Sequence, residues 1–417
     1  MKKKTALFLL GLIALITFFI VRNTSVVVDS KFSKNDIPVA NKELHSSVLE
    51  SFLNHKSGDT IRIPKGTYFF ATRLIINKPN ITIIGSGINQ TVLSFKKDTI
   101  DNEGIFISSD SVTIEKLSLI DTKGPIIKID NSKNVILRDI RTTWSKGPYI
   151  INGEYGIKFQ DSQNIVVENC ETSNASLAGI SFHNSDNISI QNNYTFNNVL
   201  GIELENCNNL EMHHNLIMHN TQGLFISNNS NSTNKTKQGV KVYNNEFLKN
   251  NFRNFSKNHN PTITPGVGIV LSGISNVEVK GNIISDHKTI GTALLSNYNS
   301  VDQTKDNLSF LSNVFIHNNR YIRNDFRIPD FSTKLGREIN KKFYVNSQDI
   351  IYDGLHPSNV LKRDSVNPMN IYIDQSSNNI RFSNLKSNKT IKEYKGKLKV
   401  STEMTFLQSL LNSQEGY

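Results

Sequence analysis

Along the middle of the chain, apolar residues recur in pairs separated by one polar residue, and the pairs return with a beat near 22 residues. From Gly156 the sequence reads GIKFQDSQNIVVENC, from Gly179 GISFHNSDNISIQNN, from Gly201 GIELENCNNLEMHHN, and from Gly268 GIVLSGISNVEVKGN. Gly179, Gly201 and Gly223 follow their predecessors by 23, 22 and 22 residues, and Gly291 follows Gly268 by 23. The first and third positions after each glycine are Ile157/Phe159, Ile180/Phe182, Ile202/Leu204, Leu224/Ile226 and Ile269/Leu271. Alternation of this kind sends them to one face. A second strand in each repeat carries Ile165/Val167, Ile188/Ile190, Leu210/Met212, Val240/Val242 and Val277/Val279. Beyond it comes a column of Cys170, Asn193, Asn215, Asn245, Asn282 and Asn319, which predicts a rung-to-rung hydrogen-bond ladder at a tight turn. Short alternating strands at this period predict a right-handed parallel β-helix, with like residues stacked about 4.8 Å apart.

The pattern weakens toward both ends. Coils are expected from about residue 58, beginning with GDTIRIPKGTYFF, and lose their period after Arg320. Leu44, Val48, Leu49, Phe52 and Leu53 have helical spacing, so residues 31–57 are read as a linker and a short helix capping the open end. Residues 321–417 are read as an irregular C-terminal cap, with helices in DFSTKLGREINKKF and near Met404–Asn412 and short strands in DIIYDG and NIYIDQ. At the other end, Lys2, Lys3 and Lys4 precede the uncharged run ALFLLGLIALITFFIV over 6–21. Residues 1–30 are therefore expected to be a transmembrane signal anchor with the remainder outside the cytoplasm; a cleaved signal peptide is the alternative. One rung is swollen: Gly223 to Gly268 spans 45 residues, with the excess in Asn228–Gln238 and Leu248–Gly266. Long excursions at a fixed corner of a solenoid usually border its binding face.

Composition agrees with a solenoid. Charged residues make up 20% of the 417, and the formal net charge of +11 is spread without a basic stripe interleaved with aromatics. That distribution argues against a nucleic-acid partner and suits an acidic polysaccharide. The two cysteines, Cys170 and Cys207, fall in different turns two rungs apart, too far for a disulfide, and are expected to be structural.

The second and fourth positions after each glycine should face outward. They read Lys158/Gln160, Ser181/His183, Glu203/Glu205 and Phe225/Ser227, so four ionisable groups come from three consecutive rungs. Removing the C5 proton of a uronate sugar needs a base and a group to neutralise the carboxylate. Lys158 is the expected neutralising cation, His183 the base or acid, and Glu203 and Glu205 ligands for a cation or sugar hydroxyl. Trp144, Tyr155 and Phe225 are the expected substrate-binding aromatics. No cofactor or metal is called for, although a divalent cation such as calcium is compatible with the carboxylates. His213, His214 and His219 resemble a metal cluster only by proximity, because His213 and His214 are expected to point in opposite directions. No nucleotide-binding, zinc-protease, serine-hydrolase or haem-attachment motif is present.

The chain resembles the exported bacterial parallel β-helix repeat family, within the wider NosD-like, pectate-lyase-like and mannuronan-epimerase-like superfamily. The resemblance runs from about Gly58 to Leu385. It is carried by WSKGP from Trp144, NGEYG ending at Gly156, AGISFHNS, NNVLGIELEN from Asn197, HNTQGL from His219, NFRNF, and PGVGIVL from Pro265. It implies the β-helix fold and export, and by analogy a lyase- or epimerase-like action on sugars. The D-P-H-D-type motif of mannuronan epimerases is absent, Glu203 and Glu205 alone stand where pectate lyases cluster calcium carboxylates, and His183-Asn184 replaces a Gly-Gln usual in the subfamily. Those departures leave open a second role, a non-enzymatic envelope scaffold working with a partner protein.

Overall fold

The computed structural model describes residues 37–98, 103–228, 239–257, 260, 262–296, 309–324, 330–343, 348–354, 369–373 and 380–384. Among them the strands form two parallel sheets, one of 19 strands and one of 11. The expected anchor, the helix near 404–412 and most of the 228–238 excursion lie outside the described residues. Among those described, no helix is long and apolar enough to cross a membrane.

The coil beginning at Tyr155 shows the plan. Its strands Tyr155–Gln160, Gln163–Glu168 and Glu171–Ser173 pair in parallel with Ala178–His183, Asp186–Gln191 and Tyr194–Phe196 of the next coil. The 11-stranded sheet, called here the glycine sheet, holds the first strand of each coil and runs in strict register, Ile157 on Ile180 on Ile202 on Leu224 on Ile269. Those side chains are buried in one core that includes the second-strand pairs as well, with Phe159 and Phe182 stacked at 4.9 Å between ring centroids.

The corners are built from asparagine. Asn169, Asn192, His214 and Asn244 turn the chain with φ of +53°, +55°, +55° and +53°, a region that Asn tolerates better than most residues. The next residue of each turns inward and forms the expected ladder. Asn215 Oδ1 accepts both N–H and Nδ2–H of Asn193 at 2.9 Å, and Asn215 Nδ2 donates to Ile190 O at 2.9 Å. A second ladder, not foreseen, stands at the corner before the glycine sheet and runs through Ala175, Asn198, Asn220, Asn250, His287 and Asn324. It explains the glycine column. A Cβ on Gly179 would lie 2.5 Å from Thr172 Oγ1 and 2.8 Å from Asn198 Nδ2, so only glycine lets the ladder approach the strand.

Both cysteines are free and buried, as register required. Cys170 heads the first ladder, giving its N–H to Asn193 Oδ1, while Cys207 occupies the corner where Ser132, Ser162 and Ser185 stand in earlier coils. Burial pushes both thiols up to about 12.

The ends differ from the reading in one respect. Helix Lys42–Leu53 caps the first coil with Val48 and Phe52 buried, and Asn41 Oδ1 accepts the Leu44 N–H at its start. At the far end the coils continue past Arg320. Strand Ile350–Tyr352 pairs with Thr292–Leu294, Ile371–Ile373 with Val314–Ile316, and Phe382–Asn384 with Ile350–Tyr352. The limit drawn at 320 is thus corrected: insertions between these strands conceal the period without ending the stack. Helix Lys334–Phe343, read as part of a bland cap, lays Ile339 and Leu335 on Val267, Val270, Ile290, Ala293 and Ile351, covering the outer face of the glycine sheet there.

Candidate functional site

The outer face of the glycine sheet carries two polar ladders fixed by the strand registers. Lys128, Lys158, Ser181, Glu203 and Phe225 form one, and Asp130, Gln160, His183, Glu205 and Ser227 the other. Pleating aims both sets away from the core, and the inward partners leave them no other choice.

Contacts gather most of these residues into one cluster. Ser181 is fully buried and donates its O–H to Glu203 Oε2 at 2.9 Å. His183 Nε2 lies 3.4 Å from the same carboxylate oxygen, and its Nδ1 lies 3.8 Å from Glu205 Oε2. A carboxylate only accepts, so a proton on Nε2 makes the contact to Glu203 a hydrogen bond, which Ser181 reinforces from the other side. Glu205 stands on the Nδ1 side of the ring. Lys158 Nζ sits 4.5 Å from the centroid of the Tyr155 ring, which meets His183 edge-on at 6.2 Å. Burial, then Glu203, holds the Tyr155 phenol well above its ordinary range, so it stays protonated. Phe225 stands beside Glu203 in the next rung.

One flank of the cluster is an apolar shelf. Tyr155, Ala178, Val199 and Leu200 pack with Phe255 and Ile263 of the long excursion, with Leu177, Phe225 and Phe252 at the margin. The excursion therefore walls the strip by covering its edge, and Lys257 reaches Glu154 at 3.8 Å. Sequence reasoning placed the excursion beside the site but gave no role to Phe252, Phe255 and Ile263. Their signal was apolar spacing inside a segment otherwise read as loop. Ser181 appeared in the outward column without a function; the folded chain has it fastening Glu203.

Trp144 does not join the cluster. It is 4% exposed, packs in the main core and donates its indole N–H to Thr122 O at 2.7 Å. No face is left for a sugar, because Trp144 lies where the chain turns inward before the 145–153 loop. The histidines also differ from expectation. His213 Nδ1 and His214 Nδ1 are 2.8 Å apart, since the left-handed backbone at His214 swings its ring back toward His213. His213 further stacks on Tyr243 at 4.8 Å, and burial, then His214, lowers its pKa. Among the described residues no group of three or more His, Cys, Asp or Glu is placed to hold a metal ion.

A family model described as right handed beta helix region matches residues 74–247, and that stretch of the chain is a right-handed β-helix region. No curated protein matches the sequence. Similar solved structures include a mannuronan C-5 epimerase A-module of Azotobacter vinelandii, at 14% identity and TM-score 0.43, covering 70% of this chain and 88% of that one. An alginate lyase of a Paenibacillus species is 13% identical with TM-score 0.44, covering 67% and 96%. The Dettilon tailspike protein is 12% identical with TM-score 0.43, covering 75% and 62%. At these values the likenesses add nothing to what the strand registers already show.

Proposed function

We propose that the chain acts outside the cytoplasm on an acidic polysaccharide, as a lyase- or epimerase-like β-helix, with the Lys158–His183–Glu203–Glu205 strip as its site. The observation that carries the reading is His183 fixed between two carboxylates, one rung from Lys158, on the outer face of the glycine sheet. Lys158 and His183 stand in adjacent rungs, about 5 Å apart along the axis, a spacing that suits one sugar ring. The Lys158 ammonium pairs with the uronate carboxylate. His183 Nδ1 then takes the C5 proton, and the electron pair released delocalises into the carboxylate that Lys158 neutralises. Breakage of the C4–O bond would complete elimination, the leaving oxygen taking the proton that His183 Nδ1 collected; protonation of the opposite face of C5 by water, with His183 releasing its proton to the resulting hydroxide, would complete epimerisation. Glu203, fastened by Ser181, holds the imidazole, and Tyr155 presents Lys158. No cofactor is required by this scheme.

Full-length protein assayed for unsaturated-uronate absorbance and for binding to an array of acidic glycans tests the reading. Activity or binding in the wild type, lost in Lys158→Ala and His183→Ala at unchanged melting temperature, is expected. Wild-type protein inert toward every acidic glycan in both assays would sink it.

A further inference from the structure

Seven large apolar side chains are substantially exposed among the described residues, and three of them are consecutive: Tyr149 at 50%, Ile150 at 38% and Ile151 at 65%. A run of that length in water is rare without a use, whereas single exposed apolar residues need no explanation. The run is also held out deliberately. It caps the 145–153 loop, whose base is fastened by buried Asn152, donating through Nδ2 to Gly147 O at 2.8 Å and to Asn174 O at 2.7 Å. The Asn152 N–H closes on Tyr149 O, and Ser176 Oγ donates to Asn152 O. Trp144 anchors the entering strand.

Around this tip the charge is basic. Lys146 lies in the loop itself and is exposed. Exposed Lys123 adjoins Gly124, which is pressed so closely on Gly153 that a Cβ there would fall 1.8 Å from Gly124 O. Lys257 meets Glu154 from the covering excursion, which also exposes Arg253. No described carboxylate pairs with Lys123, Lys146 or Arg253, and nearby Asp121 turns inward, its Oδ1 accepting the Ser145 N–H. Isoleucines at a tip flanked by the unpaired lysines Lys123 and Lys146 match the two layers of an anionic bilayer surface, acyl chains beneath charged headgroups. A sugar platform would want flat rings in place of Ile150 and Ile151, and a protein cleft would not call for the flanking unpaired lysines.

We infer that the 145–153 loop is an interfacial membrane contact, inserting Tyr149, Ile150 and Ile151 into a bilayer whose anionic headgroups are bound by Lys123 and Lys146. This contact is separate from the hydrophobic run at 6–21 and independent of the reaction proposed above.

The test uses the full-length chain on phosphatidylcholine vesicles with or without phosphatidylglycerol, with brominated acyl chains as quenchers. Tyr149→Trp supplies the reporter; the native Trp144, the sole tryptophan and buried, gives the background. Ile151→Cys carrying an environment-sensitive label repeats the measurement, because both native thiols are buried. Expected are a blue shift and quenching in phosphatidylglycerol vesicles, weakened roughly fivefold for each of Lys123→Ala and Lys146→Ala. Probes that stay solvent-like on anionic vesicles overturn the inference, as does equal quenching on neutral ones. A response to soluble polyuronate in place of vesicles would also overturn it, assigning the tip to a glycan groove instead.

Discussion

The outer face of the glycine sheet is one continuous surface with two unlike ends. Around Lys158, Ser181, His183, Glu203 and Glu205 it is polar, and its side chains satisfy one another. Two rungs beyond Glu203 the same ladder reaches Val270, then Ala293 and Ile351, beneath Ile339 and Leu335 of helix Lys334–Phe343. Phe225 marks the junction and touches the apolar clusters on both sides. The strand pairing is the same at the two ends, so what differs is the outward side chains and what covers them. A covered ladder contributes stability through burial, and an open one is free to do chemistry.

The sharpest way to break this contrast is at the open end. His183→Ala should lower turnover of an acidic polysaccharide by roughly 10²–10⁴-fold, the range for losing a general base, measured in initial-rate assays. Its denaturation midpoint should move much less, by about 1 kcal/mol, because the lost contact to Glu203 is partly exposed and Ser181 still holds that carboxylate. The covered end should answer in reverse. Ile339→Ala, which empties a buried position, should cost about 3 kcal/mol in urea unfolding and leave the rate intact.

Acid should also separate the two ends. The corner ladder carries Asn198 and Asn220 beneath the open end but His287 beneath the covered one. His287 is fully buried; its Nε2 accepts from Asn250 Nδ2 and its Nδ1–H faces Asn324 Oδ1, an arrangement that requires the neutral ring. Burial lowers its pKa from 6.5 to about 4. The unfolded chain binds the proton first, so stability is full above about pH 6.5 and falls as the pH drops toward 4. The loss amounts to about 3 kcal/mol when complete. Hydrogen exchange between pH 7 and 4 should show protection falling around Asn250, His287 and Asn324 before it falls around Asn198. His287→Asn, which restores the ladder residue, should flatten the profile.

The smallest effect belongs to the support of the site. Ser181→Ala removes the hydroxyl that fastens Glu203 and should cost about 1 kcal/mol, read as a fewfold drop in rate with little change in affinity. An unchanged rate would leave Ser181 as packing alone.

Much of this was legible in the residues. The 22-residue beat predicted the coils, the inward pairs and the first Asn column, because stacking forces equivalent residues into equivalent environments. The second ladder was hidden: Ala175 and His287 break its asparagine run, and the insertions after Asn250 and Asn324 separate those members from their first strands. The end of the solenoid was misplaced because insertions separate Ile350–Tyr352, Ile371–Ile373 and Phe382–Asn384. Trp144 looked like a sugar platform, since periodicity fixes the facing of strand residues but says little about a residue entering a loop.

The sequence alone determined the coil, its register and therefore the side of the sheet on which Lys158, His183, Glu203 and Glu205 stand. Period-two alternation is local, and a slip of one residue would bury all four charges. What covers that side was decided only in three dimensions. The excursion over 248–266 and the helix Lys334–Phe343 come from segments without repeat, and their Phe255, Ile263 and Ile339 reach the sheet through contacts distant in sequence. Such contacts follow from shape complementarity between surfaces, which no periodicity encodes.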